Sequence, residues 1–227
     1  MKILALCDNF YSALRFYDPE LKIKIAIFNN QKRSKLVFIL INIFYAIKSN
    51  LFLSIKLLIK KDIILFFQDC NQKQSTGYIK KEGFDIGLHA AGVIYRKGCI
   101  EAFNLGILNS HIGFLPYYRG RSVFEWTILN GGDACITCFF IDTGIDTGEK
   151  IVLTKSFSYN ALKEQSSSQD LHQAKEFLFQ QDVQIYKKSL KKIEQSMEFS
   201  FNDIDKGKRY YIMSNLFLNV AKNQFSQ

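Results

Sequence analysis

The chain has 227 residues. At roughly 100–200 residues per domain, that is one domain with at most a small addition, long enough to bury a core without metal or disulfide staples. Hydrophobic residues make up 48% and charged residues 22%, a globular balance that excludes a disordered or collagen-like chain. Lys and Arg total 30 against 21 Asp and Glu, a net charge of +9 that suits an anionic ligand, although the basic residues are scattered and form no nucleic-acid-binding pattern.

Residues 1–8 hold too short an apolar stretch for a signal peptide. Residues 2–7 read as a strand, 9–17 as a short helix ending before Pro19, and 21–28, Ile alternating with Lys, as a second strand. Residues 34–59 are apolar and read as one or two helices. Their core, 36–47, is apolar apart from Asn42 and too short to span a bilayer; it reads as a buried helix, and a membrane surface is the competing environment for 36–59. Residues 62–67 form a continuous apolar run of buried-strand length. The polar stretch 68–83 reads as a loop or short helix, 84–91 as a strand, 96–103 as helical and 106–112 as a strand. Residues 123–129 predict a helix stopped by Asn130-Gly131-Gly132, and 134–141 and 150–157 predict strands. Over 169–198, Leu171, Ala174, Leu178, Ile185, Leu190, Ile193 and Met197 recur at helical spacing and predict one long helix. Residues 199–227 are rich in aromatics and predict a small strand or helix addition. Strands alternating with helices give an α/β fold with a mostly parallel sheet flanked by helices. The expected organisation is a domain over 1–198 with a short extension over 199–227.

Five scattered cysteines form no disulfide framework. Cys135 and Cys138 have zinc-like spacing, but residues three apart on a strand face opposite sides, so no metal site is expected. None of the 13 glycines precedes Gly77, twelve lie between Gly77 and Gly148, and the last is Gly207. A glycine-rich phosphate loop after the first strand is therefore excluded, and the tight turns belong to the middle third. Of the three histidines, His172 reads as a surface residue and His89 as a satisfied core histidine. His111 follows Asn109 by two positions, so both side chains leave their strand on one face, at the strand end where parallel sheets hold ligands. A satisfied core pair is the competing reading. Asp142-Thr143-Gly144 and Asp146-Thr147-Gly148 follow an apolar strand and read either as turns or as a loop holding a catalytic carboxylate.

Asn109-x-His111, Leu115-Pro116-x-x-Arg119-Gly120, Trp126-x-Ile128-x-Asn130-Gly131, Thr137 and Gly144-Ile145-Asp146-Thr147-Gly148 occur in one order within residues 84–152. In that order and spacing the chain resembles the formyltransferase family. The resemblance implies a Rossmann-like fold and transfer of a formyl group from 10-formyltetrahydrofolate to an amine, without a metal. It implies that Asn109 and protonated His111 donate to the oxyanion formed when the amine attacks, each donor contributing about 3–4 kcal/mol, or that neutral His111 takes the amine proton. Asp146 would orient His111 or relay protons. The pterin would lie against residues 91–97, with Val93 and Tyr95, and against the loop of Asp142, Thr143 and Gly144, largely through backbone groups. Tyr117 and Arg119 would face the acceptor. One departure stands out: many members have a Thr-x-His pair where this chain has Thr137-Cys138-Phe139, so the second histidine is absent.

Within the resemblance, glycinamide ribonucleotide formyltransferases carry a Gly-rich loop after the first strand, which is missing here. Methionyl-tRNA formyltransferases carry a C-terminal β-barrel, for which the residues after 198 are too few. Elimination leaves sugar N-formyltransferases, acting on nucleotide-linked amino sugars such as dTDP-4-amino-4,6-dideoxyglucose for surface polysaccharide (O-antigen, lipopolysaccharide) biosynthesis. The expected setting is cytoplasmic, as a homodimer, with no nucleic acid and no stable membrane insertion. The alternatives are a glycinamide ribonucleotide formyltransferase or a non-catalytic basic module binding nucleotide or nucleic acid.

Overall fold

Ile-Leu-Ala-Leu-Cys opens the fold as β1 (Ile3–Cys7), buried along its whole length. The computed structural model describes residues 1–18, 22–165 and 170–226. Two units divide it, Met1–Leu108 and Asn109–Gln227.

In the first unit, β1 is followed by α1 (Phe10–Arg15), β2 (Lys24–Phe28), α2 (Lys35–Ser49), α3 (Leu51–Ile59), β3 (Ile63–Phe66), α4 (Lys73–Glu82), β4 (Ile86–Ala90) and α5 (Lys97–Ile100). The chain then enters β5 (Gly106–His111). The pairings β1–β2, β1–β4, β2–β3 and β4–β5 are all parallel. Parallel strands are covered on both faces and read as unbroken apolar runs, as in β1; in β2 the alternation of Ile with Lys ends at Lys24, and Ile25, Ala26, Ile27 and Phe28 are all buried. Leu21 and Pro19 lie outside the described residues, and the second strand starts at Lys24 rather than 21. Asn50 splits the apolar stretch into two helices. Its backbone is extended (φ −162°, ψ 99°) and its side chain caps α3 by accepting the Leu53 N–H at 2.9 Å. Residues 68–83 do contain a helix, α4, closed by Gly83 in the left-handed conformation (φ +64°).

The run 62–67 departs from expectation. β3 is an edge strand, and only Ile63 of its four residues is buried. Its apolar side chains serve local stacking instead, with Phe66 against Phe28 at 4.8 Å between ring centroids.

The second unit begins within β5 and continues through β6 (Tyr118–Gly120), α6 (Val123–Leu129), β7 (Ala134–Phe140), β8 (Lys150–Phe157), α7 (Tyr159–Gln165), α8 (Leu171–Gln180), α9 (Asp182–Glu194), β9 (Ser200–Phe201), β10 (Lys208–Tyr210) and α10 (Asn215–Ser226). β7–β8 and β8–β9 are antiparallel. The hydrogen-bonded order is β3-β2-β1-β4-β5-β7-β8-β9, with β10 and β6 as a separate pair. The result is the mostly parallel α/β sheet that the alternation of strands and helices predicts.

The single helix expected over 169–198 is two helices, and residue 169 lies outside the described ones. Gln181 interrupts the ladder: its N–H reaches back to Leu178 O at 3.0 Å, and α9 starts at the next residue. The apolar period survives the break because Ala174 and Leu178 on α8 and Ile185 and Leu190 on α9 are all buried. The aromatic tail is built into this unit. β10 pairs in parallel with β6, Tyr210 opposite Gly120. Tyr210 stacks on Tyr118 at 5.1 Å, and the Trp126 ring touches both Tyr210 and Phe217.

Candidate active site

Alternation along β5 sorts three neighbours. The Ser110 N–H donates to the Tyr186 hydroxyl and its own hydroxyl to Asp182, both at 2.9 Å, which ties that face to α9. Asn109 and His111 leave on the other face. His111 is only 8% exposed. Asn109 is half-buried, and its carboxamide makes no hydrogen bond among the described residues.

The His111 ring is held through Nε2. Nε2 lies 2.9 Å from the carbonyl oxygen of Tyr118. A carbonyl can only accept, so Nε2 carries a hydrogen. The ring lies over Gly113, where a Cβ would fall 2.5 Å from Nε2 and 2.7 Å from the Tyr118 oxygen. Nδ1 faces Asp146 Oδ2 at 3.6 Å, too long for a direct hydrogen bond. Both side chains of this pair are nearly buried.

Asp146 takes up the left-handed region (φ +54°), which Asp tolerates better than most residues. Its Oδ2 accepts the Gly120 N–H at 2.9 Å. Asn202, from the tail, donates to the Asp146 carbonyl at 3.3 Å and to the Gly148 carbonyl at 3.0 Å. Thr137 anchors the loop after His111: its hydroxyl donates to Gly113 O at 2.7 Å and accepts the Leu115 N–H at 3.3 Å. Phe139, two residues on, packs with Leu115 and Ile151 in an apolar cluster. The position where many formyltransferases have a second histidine is therefore part of the core here.

The remaining residues singled out in this unit are placed as follows. Asp142 Oδ1 accepts the Gly144 N–H at 2.9 Å and the Thr147 hydroxyl at 2.7 Å, leaving the backbone of Thr143 and Gly144 exposed. Tyr117 is exposed with its ring against Phe114. Arg119 donates to the Ile204 carbonyl at 3.1 Å, and its buried Nε has no partner among the described residues. No carboxylate pairs with Arg119 among the described residues. Burial pushes the Tyr210 hydroxyl up, Tyr118 adding to the effect and a hydrogen bond from Asn130 opposing it. Burial likewise pushes the Cys138 thiol up to about 12, so it is not a nucleophile at neutral pH.

In the first unit, Val93 is half-buried, and the Tyr95 ring is buried with its hydroxyl 3.0 Å from His89 Nδ1. His89 is thus satisfied by that hydroxyl. Two residues that sequence reasoning passed over fix this segment. Asp8 accepts the Gly92 N–H at 2.6 Å, while Asn71 accepts the Arg96 N–H at 2.7 Å and donates to Ile94 O at 3.1 Å. In the second unit, Asn202 and the Tyr118 carbonyl were also missed. A backbone acceptor leaves no trace in residue identity, and Asn202 sits among aromatics without a pattern of its own. Among the described residues no group of three or more His, Cys, Asp and Glu is placed to hold a metal ion.

Residues 75–182 match the model of the formyl transferase family. The methionyl-tRNA formyltransferase of Clostridioides difficile (strain 630) is 39% identical over 67 residues, which are 29% of this chain and 22% of that protein. The matched segment spans well under half the length of such curated relatives. Among solved structures, the formyltransferase PseJ from Anoxybacillus kamchatkensis, in complex with UDP-4,6-dideoxy-4-formamido-L-AltNAc and tetrahydrofolate, has a TM-score of 0.53 at 17% identity, over 93% of this chain and 86% of that one. Glycinamide ribonucleotide transformylase 1 from Symbiobacterium toebii has a TM-score of 0.59 at 14% identity, over 89% and 94%. At these identities the two structures speak to the fold, which this chain shares.

Proposed function

We propose that this chain, whose residues 75–182 match the model of the formyl transferase family, transfers a formyl group from 10-formyltetrahydrofolate to the amino group of a nucleotide-linked amino sugar. The observation that carries the reading is an uncommitted Asn109 carboxamide on the same strand face as a buried His111–Asp146 pair.

The residues present fit a folate formyl donor. The Asn109 amide is free to donate, and Asp142 Oδ1 is spent within its loop on the Gly144 N–H and the Thr147 hydroxyl, while Thr143 and Gly144 stand exposed for a ring. Bound folate supplies an activated formyl carbon and a nitrogen leaving group. Asn109 donates to the formyl oxygen, where negative charge gathers, and such a donor contributes about 3–4 kcal/mol. His111 keeps its hydrogen at Nε2 on the Tyr118 carbonyl and presents Nδ1 as an acceptor. It takes the proton that the attacking amine sheds, the Asp146 carboxylate beside Nδ1 stabilises the resulting imidazolium, and that proton would pass to the departing folate nitrogen as its bond to the formyl carbon breaks. Asp146 is a positioning residue, fixed by Gly120 and Asn202. Val93 and Tyr95 are assigned to the folate through their backbone, as are Asp142, Thr143 and Gly144, and Tyr117 and Arg119 are assigned to the acceptor.

Two observations support a sugar nucleotide as that acceptor. The segment after β1 has no glycine-rich phosphate loop: no glycine precedes Gly77, and Asn9 there caps α1 by accepting the Ser12 N–H at 3.0 Å. Arg119 carries a cation without a carboxylate partner, which suits a pyrophosphate. In this reading the sugar is dTDP-4-amino-4,6-dideoxyglucose or a near relative, made for O-antigen in the cytoplasm. Residues 1–198 form the catalytic domain, and 199–227 an extension that supplies Asn202 and β10. The enzyme acts as a homodimer, which sedimentation checks. Glycinamide ribonucleotide is the second acceptor, favoured by the fold shared with its transformylase.

The test offers 10-formyltetrahydrofolate with dTDP- and UDP-linked amino sugars, glycinamide ribonucleotide and methionyl-tRNA in separate reactions, read by mass spectrometry. One added formyl group on a sugar nucleotide supports the reading. Formylation of glycinamide ribonucleotide or methionyl-tRNA alone overturns the sugar assignment, and no transfer to any acceptor overturns the activity.

A further inference from the structure

Two helices of the first unit carry an apolar surface that nothing in the described structure covers. α2 buries a narrow side through Phe38, Asn42 and Ala46. Its other side exposes Leu36, Leu40, Ile43, Phe44 and Ile47, and α3, the next helix, presents Phe52, which is 87% exposed. Eleven large apolar side chains between Leu36 and Ile59 are exposed in all. A contiguous apolar surface of this kind marks an interaction site.

Charge identifies the partner. Residues 31–61 contain seven Lys and Arg and no Asp or Glu. Lys32, Lys35, Lys48, Lys56, Lys60 and Lys61 are exposed, and none pairs with a carboxylate among the described residues. At about 100° per residue, the exposed apolar positions of α2 cover an arc of about 160°, wider than the seam of a coiled coil. Self-association would set this face on its own image, bringing seven positive charges against seven with no acid to meet them. A broad apolar face rimmed by unpaired lysines fits the headgroup region of an anionic bilayer, where the apolar side chains enter the acyl boundary and the lysines meet lipid phosphate. No helix among the described residues is long and apolar enough to cross a membrane.

We propose that the α2–α3 face docks this chain on a membrane surface rich in anionic lipid, lying on the bilayer without spanning it. The proposal does not depend on the formyl-transfer reading.

The experiment is co-sedimentation of the full chain with vesicles of phosphatidylcholine alone and of phosphatidylcholine mixed with phosphatidylglycerol. Binding is expected to the mixed vesicles and to fall steeply with added salt, since each basic residue near such a surface contributes about fivefold. The variant Leu40→Gln/Phe44→Gln/Phe52→Gln changes only exposed positions and is expected to lose binding with an unchanged melting curve. Lys48→Gln/Lys56→Gln/Lys60→Gln is expected to lose the preference for anionic vesicles, by ~100-fold in partitioning. Sedimentation velocity on the same variants gives the competing outcome. No vesicle binding by the unaltered chain, binding indifferent to lipid charge, or a change of oligomeric state in the apolar variant with vesicle binding intact would each overturn the proposal.

Discussion

His111 Nε2 sits 2.9 Å from the carbonyl oxygen of Tyr118, and that contact assigns the ring's two nitrogens. With Nε2 committed as a donor, Nδ1 is the nitrogen left for proton transfer, and Asp146 is the charge beside it. Asp146→Asn keeps the shape and removes the charge. The expected result is a fall in kcat of about 10²–10⁴, the range of a general acid–base contribution, with KM for the sugar nucleotide little changed. Steady-state kinetics checks it, and an unchanged kcat sinks the assignment.

Gly113 and Gly120 flank this pair, and each leaves no room for a side chain. Gly113→Ala places a methyl 2.5 Å from His111 Nε2, so the ring must leave the Tyr118 carbonyl. Gly120 has φ +103°, and a Cβ there strikes the Tyr210 carbonyl, forcing β10 off β6. We expect Gly113→Ala to lose most activity and some stability as well, because the methyl also falls 2.7 Å from the Tyr118 carbonyl oxygen. Gly120→Ala is expected to lose more than about 1 kcal/mol of stability, from an incompatible backbone angle and the clash. Thermal melts beside initial rates separate the two, and wild-type behaviour of either variant contradicts the close-approach argument.

Phe139 is 1% exposed, in a cluster with Leu115 and Ile151. Restoring histidine there buries polar nitrogens among apolar neighbours. Phe139→His is expected to lose about 1–3 kcal/mol of stability and gain no activity. Chemical denaturation and kcat are the readouts, and a faster, equally stable variant would show that the absent histidine is a functional loss.

Asp85 accepts from the Asn104 amide at 2.8 Å and from the Lys2 N–H at 2.7 Å. These bonds, Asn104 first, hold its carboxyl below the usual carboxylate range. A lowered folded value means that the unfolded chain takes up the proton first as pH falls. The stabilisation is complete above the ordinary carboxylate pKa of about 4 and fades as pH falls through the lower folded value. The gap in Tm between the unaltered chain and Asp85→Asn is therefore expected to narrow from pH 5 to pH 3. A gap independent of pH would contradict it.

Much of this was legible in the residues. An unbroken apolar run gave β1, Ile alternating with Lys gave β2, Asn130-Gly131-Gly132 gave the end of α6, and the two-residue spacing of Asn109 and His111 put them on one face. β3 was misread as buried because apolarity alone does not separate an edge strand from a central one. The helix over 169–198 was misread as continuous because Gln181 breaks the hydrogen-bond ladder without disturbing the apolar period. The Tyr118 carbonyl that fixes His111 could not be read from sequence, since every residue has one. Asn202 was hidden because its partners, the carbonyls of Asp146 and Gly148, lie more than fifty positions away.

Formyl transfer by the unaltered chain beside Asn109→Ala and His111→Ala, with 10-formyltetrahydrofolate and the best sugar nucleotide, bears most directly on the central claim. We expect both variants to melt like the parent and to lose about 10²-fold or more in kcat, as the loss of an oxyanion donor and of a general base requires. Transfer at the parent rate by either folded variant would contradict the assignment of this site.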